Sequence, residues 1–400
     1  MLDLFHMTLT KSFVIRYKKS SKKEKTKLLD EYCITSGVKR KAVIKRLTRA
    51  PVLPKLIGYM KPKKKGGRKK KYLSFHTKAI HKAWHLSGMI CAERLKPVLG
   101  EFLAELVSAS MITLSKDDVL MLSHIPLISL KRIVASFEEK SPGIGKRGYG
   151  NSHKGAPALY KQIPISAKFG KRTKEVSGLF EVDYVEHTGG NQSGRIAITG
   201  TYTDIVSSWT VRASGFGKSL SSITDIHNKA NSRIYHKVRE YHPDNAPQLL
   251  SCLFTKMQEG DNKQEIPFIV SRSRPYEKND NAHVEQKNDD KIRKLVGYHR
   301  YDTQEEVDIL NKLYEICDQI DNFFIPSSKL KKLIKNKKGK IIKRIHDTSQ
   351  TPYQRLMNDK RISQPIKDRL TRLKQSLSVI ELVRWKEQIL NALRDYRITK

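Results

Sequence analysis

The stretch LFEVDYVEHTGG, residues 179–190, decides the fold. Phe180, Val182 and Tyr184 alternate with polar neighbours, and Asp183 falls on the opposite face. A period of two residues marks a half-buried strand. Outward from it, RIAITGTYTD (195–204) and SSWTVRA (207–213) read as two further strands joined by short turns. SLSSITDIHNKA (219–230) has Leu220, Ile223 and Ile226 at helical spacing, and RIYHKVREY (233–241) reads as a fourth strand. APQLLSCLFTKMQ (246–258) places Leu249, Leu253 and Met257 on one helix face; EIPFIVS (265–271) is a strand and NAHVEQKNDDKIRKLVGY (281–298) a helix. Strands joined by tight turns run antiparallel, whereas strands separated by helices run parallel in the same sheet. The predicted core is therefore a mixed sheet with helices on both faces.

Three acids stand out in this layout. Asp183 lies on the first strand, Asp244 directly follows the fourth in HPDNAP, and Glu285 opens the helix after the last. The first and fourth strands of such a sheet would be neighbours, which brings Asp183 and Asp244 together and lets Glu285 reach in from the flanking helix. Converging carboxylates repel unless a cation offsets their charge. Hard ions such as Mg²⁺ (or Mn²⁺) prefer carboxylate and phosphate oxygens. Two of them can serve an in-line phosphoryl displacement. Glu186, Asp204 and Asp225 are other acids nearby; Asp204 sits at a hairpin turn that favours aspartate on its own account.

Charge points to the same substrate. The chain of 400 residues carries a formal net charge of +38, from 78 basic and 40 acidic residues. Residues 1–73 hold 23 Lys and Arg against 4 acids, and residues 326–400 hold 21 against 6. The middle is almost balanced, as a region that keeps functional carboxylates should be. Such basic ends suit a polyanion, because neutralised phosphates release counterions, and charge by itself fits a ribosomal or RNA-binding protein as well as a DNA-binding one. No run reaches the ~18 apolar residues of a membrane span, and MLDLFHMTLTKSF lacks the form of a signal peptide. Four scattered cysteines fit a reducing cytoplasm.

The predicted organisation is multidomain. Residues 1–60 form a helix-turn-helix unit: SKKEKTKLLDEYC opens on a capping box of Ser21 and Glu24, Gly37 breaks the chain, and Val43, Ile44 and Leu47 mark the next buried face. Lys39, Arg40, Lys45 and Arg46 are then left to face DNA. Residues 61–73, which include Arg68, are a basic linker able to follow a phosphate backbone. Residues 74–140 are a second helical, helix-turn-helix unit, with Ser115 and Asp118 in capping-box spacing and Lys131 and Arg132 on its last helix. His81 and His85 sit one turn apart there, but no second ligand pair accompanies them, so their spacing is read as coincidental. Residues 141–175 are a glycine-rich linker, 176–325 the catalytic core and 326–400 a mainly helical basic region.

LFEVDYVEHTGG, HPDNAPQLL and RSRPYEKNDNAHVEQKN together resemble the catalytic core of bacterial insertion-sequence transposases of the retroviral-integrase type, the DDE superfamily. QIPI (162–165), DNFFIPSSKL and TPYQRLM extend the resemblance outward. It implies a ribonuclease H-like core in which Asp183, Asp244 and Glu285 hold two divalent ions. It also implies hydrolysis of a DNA end to a 3′-hydroxyl, strand transfer into target DNA, and a homo-multimer on duplex DNA in the bacterial cytoplasm, at the nucleoid. Asn245, Asn288 and Lys291 would accompany the acids at the DNA. Ala246 and Pro247 depart from the Asp-Asn-Gly form usual at the second motif. Two other readings share these features: an inactive transposase acting as a DNA-binding regulator, and a structure-specific nuclease on the same fold.

Overall fold

A computed structural model describes residues 13–49, 71–137, 162–166, 169, 172, 175–244, 246–259, 268–272, 288–336 and 339–399. The chain divides into two compact units, residues 1–71 and 72–400. N-terminal helices, a central mixed sheet of five strands flanked by helices, and a helical C-terminal region agree with the expected multidomain α/β architecture.

In the first unit, residues 13–19 are helical and are followed by α1 (Lys22–Ser36) and α2 (Arg40–Arg49). Ser21 caps α1: its backbone N–H donates to Glu24 Oε2 at 2.8 Å. Gly37 ends the helix at φ 66°, a left-handed conformation that suits glycine. Phe13, Val14, Tyr17, Leu28, Leu29, Tyr32, Val43 and Leu47 form a small core. Ile44, expected in that core, is 38% exposed. The helical step after Val43 turns it away, and Leu47 fills the place one turn on.

The second unit opens with α3 (Ser74–Leu86), two short turns at 92–98, α4 (Leu99–Ser108), α5 (Lys116–Ser123) and α6 (Leu127–Val134). The Ser115 capping box forms, its hydroxyl donating to Asp118 Oδ2 at 2.7 Å. His76 binds the other oxygen of Asp118 through Nε2 at 2.9 Å. His81 and His85 pack ring against ring, 4.6 Å between centroids.

The sheet has the order β3-β2-β1-β4-β5. Its strands are β1 (Leu179–Glu186), β2 (Ala197–Asp204), β3 (Thr210–Phe216), β4 (Glu240–Pro243) and β5 (Ile269–Val270). β1, β2 and β3 run antiparallel; β4 pairs parallel with β1, and β5 parallel with β4. α7 (Leu220–Asn231) connects β3 to β4, and α8 (Pro247–Glu259) follows β4. A π-helical turn at Asn288–Arg293 leads toward α9 (Gln304–Phe323).

The fourth strand is shorter than its sequence pattern. Only Glu240–Pro243 is in the ladder, and residues 233–239 run beside it anchored by side chains. His236 bonds the buried Asp204 at 3.1 Å, and Arg233 bonds Asp318 at 2.9 Å. Pairing begins where Arg239 N donates to Gly178 O at 2.8 Å.

α7 lies close on the sheet because Gly200 permits it. A Cβ there would stand 2.5 Å from Tyr184 Cε1 and 2.8 Å from Ile226 Cγ2. The other side is covered by α9, which also closes the edge of β3. Asn322 and Asn311 bond the backbone of Thr210 and Ser214, and Asp318 accepts from Arg212 N at 3.0 Å. Alternate residues of the edge strand thus find side-chain partners where a sixth strand would have lain.

One hydrophobic cluster runs from Ile80 and Phe102 through Phe180, Val182 and Leu249 to Leu370 and Leu382. The segments expected as second helical domain, core and C-terminal region share it. The C-terminal region comprises α10 (Pro352–Asn358), α11 (Gln364–Gln375) and α12 (Val379–Thr399). It also contains a two-stranded hairpin not anticipated from its sequence, β6 (Leu330–Lys335) and β7 (Ile341–His346). Its strands are rich in lysine, which obscures the alternation a half-buried strand would show.

Candidate acidic site

Asp183, within β1, and Asp244, just past the end of β4, occupy adjoining places on two parallel strands. Val182 pairs with Pro243 across β1 and β4, so Asp183 and Asp244 are the next residues on each side. Neighbouring strands lie ~4.8 Å apart. Both acids are half-buried. Asp183 Oδ1 accepts from Tyr184 N at 2.8 Å, and Asp244 Oδ1 accepts from Ala246 N at 3.0 Å. The second contact fixes Asp244 just ahead of α8, whose positive N-terminal end favours an ionised carboxylate. Burial pushes the Tyr184 phenol well up, with the tyrosine pair and the charge of Asp244 in its surroundings; its hydroxyl lies 3.2 Å from that of Tyr202.

Glu285, Asn245 and Arg68 lie outside the described residues. The turn that follows Glu285, Asn288–Arg293, packs against β1. Arg293 Nη2 donates to Glu186 O at 3.0 Å, and Ile292 is fully buried. The Asn288 side chain is also outside the described set. Lys291 turns inward: its Nζ lies 2.5 Å from Asp321 Oδ1.

The rival acids are engaged elsewhere. Glu186 pairs with Lys218 and Asp225 with Lys229, each at 2.7 Å. Asp204 is wholly buried. Burial alone would raise its carboxyl, but hydrogen bonds from His236, Ser207 and Val206 N hold it below the usual range.

A buried charge cluster beside the acids was not foreseen. Along one row of the sheet Asp183 pairs with Thr201, and Thr201 with Arg212. The guanidinium of Arg212 donates to Asp318 at 2.7 Å, to Asp321 at 2.8 Å and to the carbonyl of Lys291 at 2.8 Å. Arg212 thereby ties β3 to α9 and to the turn beyond Glu285. The one signal in the sequence is an arginine between Val211 and Ala213 in an otherwise uncharged strand.

Of the candidate DNA contacts, Lys39, Arg40, Lys45 and Arg46 are all exposed in the first unit. Arg40 pairs with Asp30. In the second unit Lys131 pairs with Glu93 at 2.5 Å, and Arg132 is exposed.

Among the described residues no group of three or more His, Cys, Asp or Glu could hold a metal ion. Asp183 and Asp244 offer two of the three carboxylates expected, and an all-oxygen pair fits Mg²⁺ or Mn²⁺ better than a soft metal. All four cysteines are free thiols, and no helix among the described residues is long and apolar enough to cross a membrane.

No protein-family model matches the chain. The chain is similar to the uncharacterized protein y4rM of Sinorhizobium fredii (strain NBRC 101917 / NGR234), 28% identical over 343 residues, which is 84% of this chain and 91% of that protein.

Proposed function

We propose that the chain is a DNA transposase that cleaves and joins the ends of its own element. The observation that carries this reading is the adjacency of Asp183 and Asp244 on the parallel strands β1 and β4. We read the five-stranded sheet, ordered β3-β2-β1-β4-β5 with helices on both faces, as a ribonuclease H-like core. The resemblance of the three acidic motifs to the DDE superfamily supports it.

Asp183, Asp244 and Glu285 would hold Mg²⁺ or Mn²⁺, and such ions supply charge neutralisation and an activated oxygen for phosphoryl transfer. Asp244, fixed at the head of α8 by Ala246 N, would serve as one oxygen ligand. Arg212, through the Lys291 carbonyl, holds the turn that follows Glu285 in register with β1. The exposed lysines and arginines of α2 grip phosphates and position the element end. One site then serves both hydrolysis, which frees a 3′-hydroxyl, and transfer of that hydroxyl into target DNA. Two ends must be joined in concert, which calls for a multimer on the DNA.

The departure at Ala246–Pro247 favours a second reading, a regulator that binds the ends without cutting them. One experiment separates the two. The purified protein is incubated with Mg²⁺ and a duplex carrying the sequences that flank its gene. Nicking and joined products in the wild type, lost in Asp244→Asn with binding retained, support the transposase. Binding without nicking in the wild type supports the regulator. Cuts without joined strands point to a nuclease.

A further inference from the structure

The β6–β7 hairpin has no evident structural duty. Ten of its twelve strand residues are exposed, and Ile334 and Ile345 are only half-buried. An isolated two-stranded ribbon is marginal in water, so a ribbon left open on both faces calls for something to lie against.

Its residues specify what. Across the ribbon Lys332 pairs with Ile345, Leu333 with Arg344, Ile334 with Lys343 and Lys335 with Ile341. Each pair couples an aliphatic residue to a basic one, so neither face is purely apolar as a protein-docking face would be. Residues 329–346 contain no Asp or Glu. Lys331, Lys332, Lys335, Lys343 and Arg344 are exposed, and none of them pairs with a carboxylate among the described residues. Leu330 and Ile342 are 50% and 66% exposed, leaving apolar edges between the cations.

The base of the ribbon, by contrast, is fixed. Asp347 Oδ1 accepts from Lys329 N at 2.6 Å, and Asp347 Oδ2 accepts from Arg355 at 2.7 Å. Lys329 Nζ donates to the carbonyls of Ile205 and Val206, at the turn between β2 and β3. The arm is therefore rooted on the sheet that carries Asp183. Two strands ~4.8 Å apart fit the ~12 Å major groove of B-form DNA.

We propose that the β6–β7 ribbon is a DNA arm that lies in the major groove of a duplex, with its lysines and Arg344 on the flanking phosphates. This rests on the reading of the chain as a protein that acts on duplex DNA. The test compares full-length wild type with the variant Lys332→Ala/Lys335→Ala/Lys343→Ala/Arg344→Ala and a charge-preserving variant with the three lysines changed to arginine. Binding to a mixed-sequence DNA duplex is followed against salt, with methylation protection of guanine N7. The alanine variant should flatten the slope of log K against log salt by about 3 to 4, at ~0.9 per lost phosphate contact. It should also lose N7 protection, while the arginine variant keeps both. A wild type that binds duplex with a slope and protection unchanged in the alanine variant overturns the arm and leaves the transposase reading standing. Equal flattening in both variants overturns it as well. A ribbon effect seen on duplex RNA or single strands but not on duplex DNA overturns the groove assignment. A wild type that binds no duplex DNA overturns both readings.

Discussion

Asn322 holds Thr210 by both of its backbone groups. Its Oδ1 accepts from Thr210 N at 2.9 Å, and its Nδ2 donates to Thr210 O at 2.7 Å. Asn311 repeats the arrangement on Ser214, at 2.7 and 2.9 Å. Two amides of one helix thus stand in for a missing strand at the sheet edge. Replacing Asn322 with Leu leaves a buried N–H and C=O without partners, at a cost of ~1–3 kcal/mol for each unsatisfied group. Lower thermal stability and faster aggregation are expected, because an open edge strand recruits others. Calorimetry and light scattering check this; unchanged values would show that the edge is satisfied in another way.

Arg212 is expected to be the least replaceable residue of the sheet. Arg212→Leu removes the guanidinium from the buried Asp318 and the half-buried Asp321, leaving Arg233 beside the first and Lys291 beside the second. Removing one partner of a buried ion pair costs ~3–5 kcal/mol. Urea denaturation should show that loss, and a partly destabilised variant should also be loosened at the turn 288–293. Hydrogen exchange at Lys291 and Ile292 measures the second effect separately from the first.

Gly200→Ala drives a methyl group into the Tyr184 ring and Ile226. Overpacking of this kind costs ~1–3 kcal/mol. The double variant Gly200→Ala/Tyr184→Leu should recover part of the loss, since it removes the nearer obstacle. Melting temperatures of the three proteins decide it.

His187 gives the fold an acid-sensitive point. Burial pushes its imidazole down to about 3, with Arg293 adding to the effect, and Nε2 bonds Thr199 Oγ1 at 2.8 Å. The native state keeps it neutral, whereas an unfolded histidine takes up a proton below ~6.5. The unfolded chain therefore binds one more proton between about 6.5 and about 3. Stability is whole above that window and is lost as pH falls through it, at ~1.4 kcal/mol per pH unit from this group. His187→Gln should reduce the slope of stability against pH by that amount. An identical slope in the variant would show that His187 is already protonated in the fold.

The basic run at 61–71 carries eight Lys and Arg. Its deletion should flatten the salt dependence of DNA binding, by as much as ~0.9 for each phosphate contact removed. Filter binding at several salt concentrations measures the slope, and an unchanged value would show the run to be idle.

The sheet was legible where local pattern and tertiary role coincide. Phe180, Val182 and Tyr184 alternate because one face of β1 meets α7, so the strand announced itself. The capping boxes at Ser21 and Ser115 were legible for the same reason: cap and partner lie three residues apart. The fourth strand misled, since RIYHKVREY alternates through residues whose side chains bind Asp204 and Asp318 instead of building a ladder. The hairpin β6–β7 was missed because both of its faces are exposed and no face is sorted from the other. The adjacency of Asp183 and Asp244 could be expected from the order of the strands that carry them, but the role of Arg212 could not, because its partner Asp318 lies 106 residues further along the chain.

By itself the sequence determined the first three strands and most helices of the core, where the charge lies, and which strands carry Asp183 and Asp244. Those properties follow from side-chain period and from caps only a few residues long. Tertiary structure alone decided that residues 233–239 stay out of the ladder, that α9 closes the edge of β3, and that Arg212 joins that helix to the turn after Glu285. Each rests on contacts between residues tens to a hundred positions apart, and only the pairing register and the packing of a shared core bring such residues together.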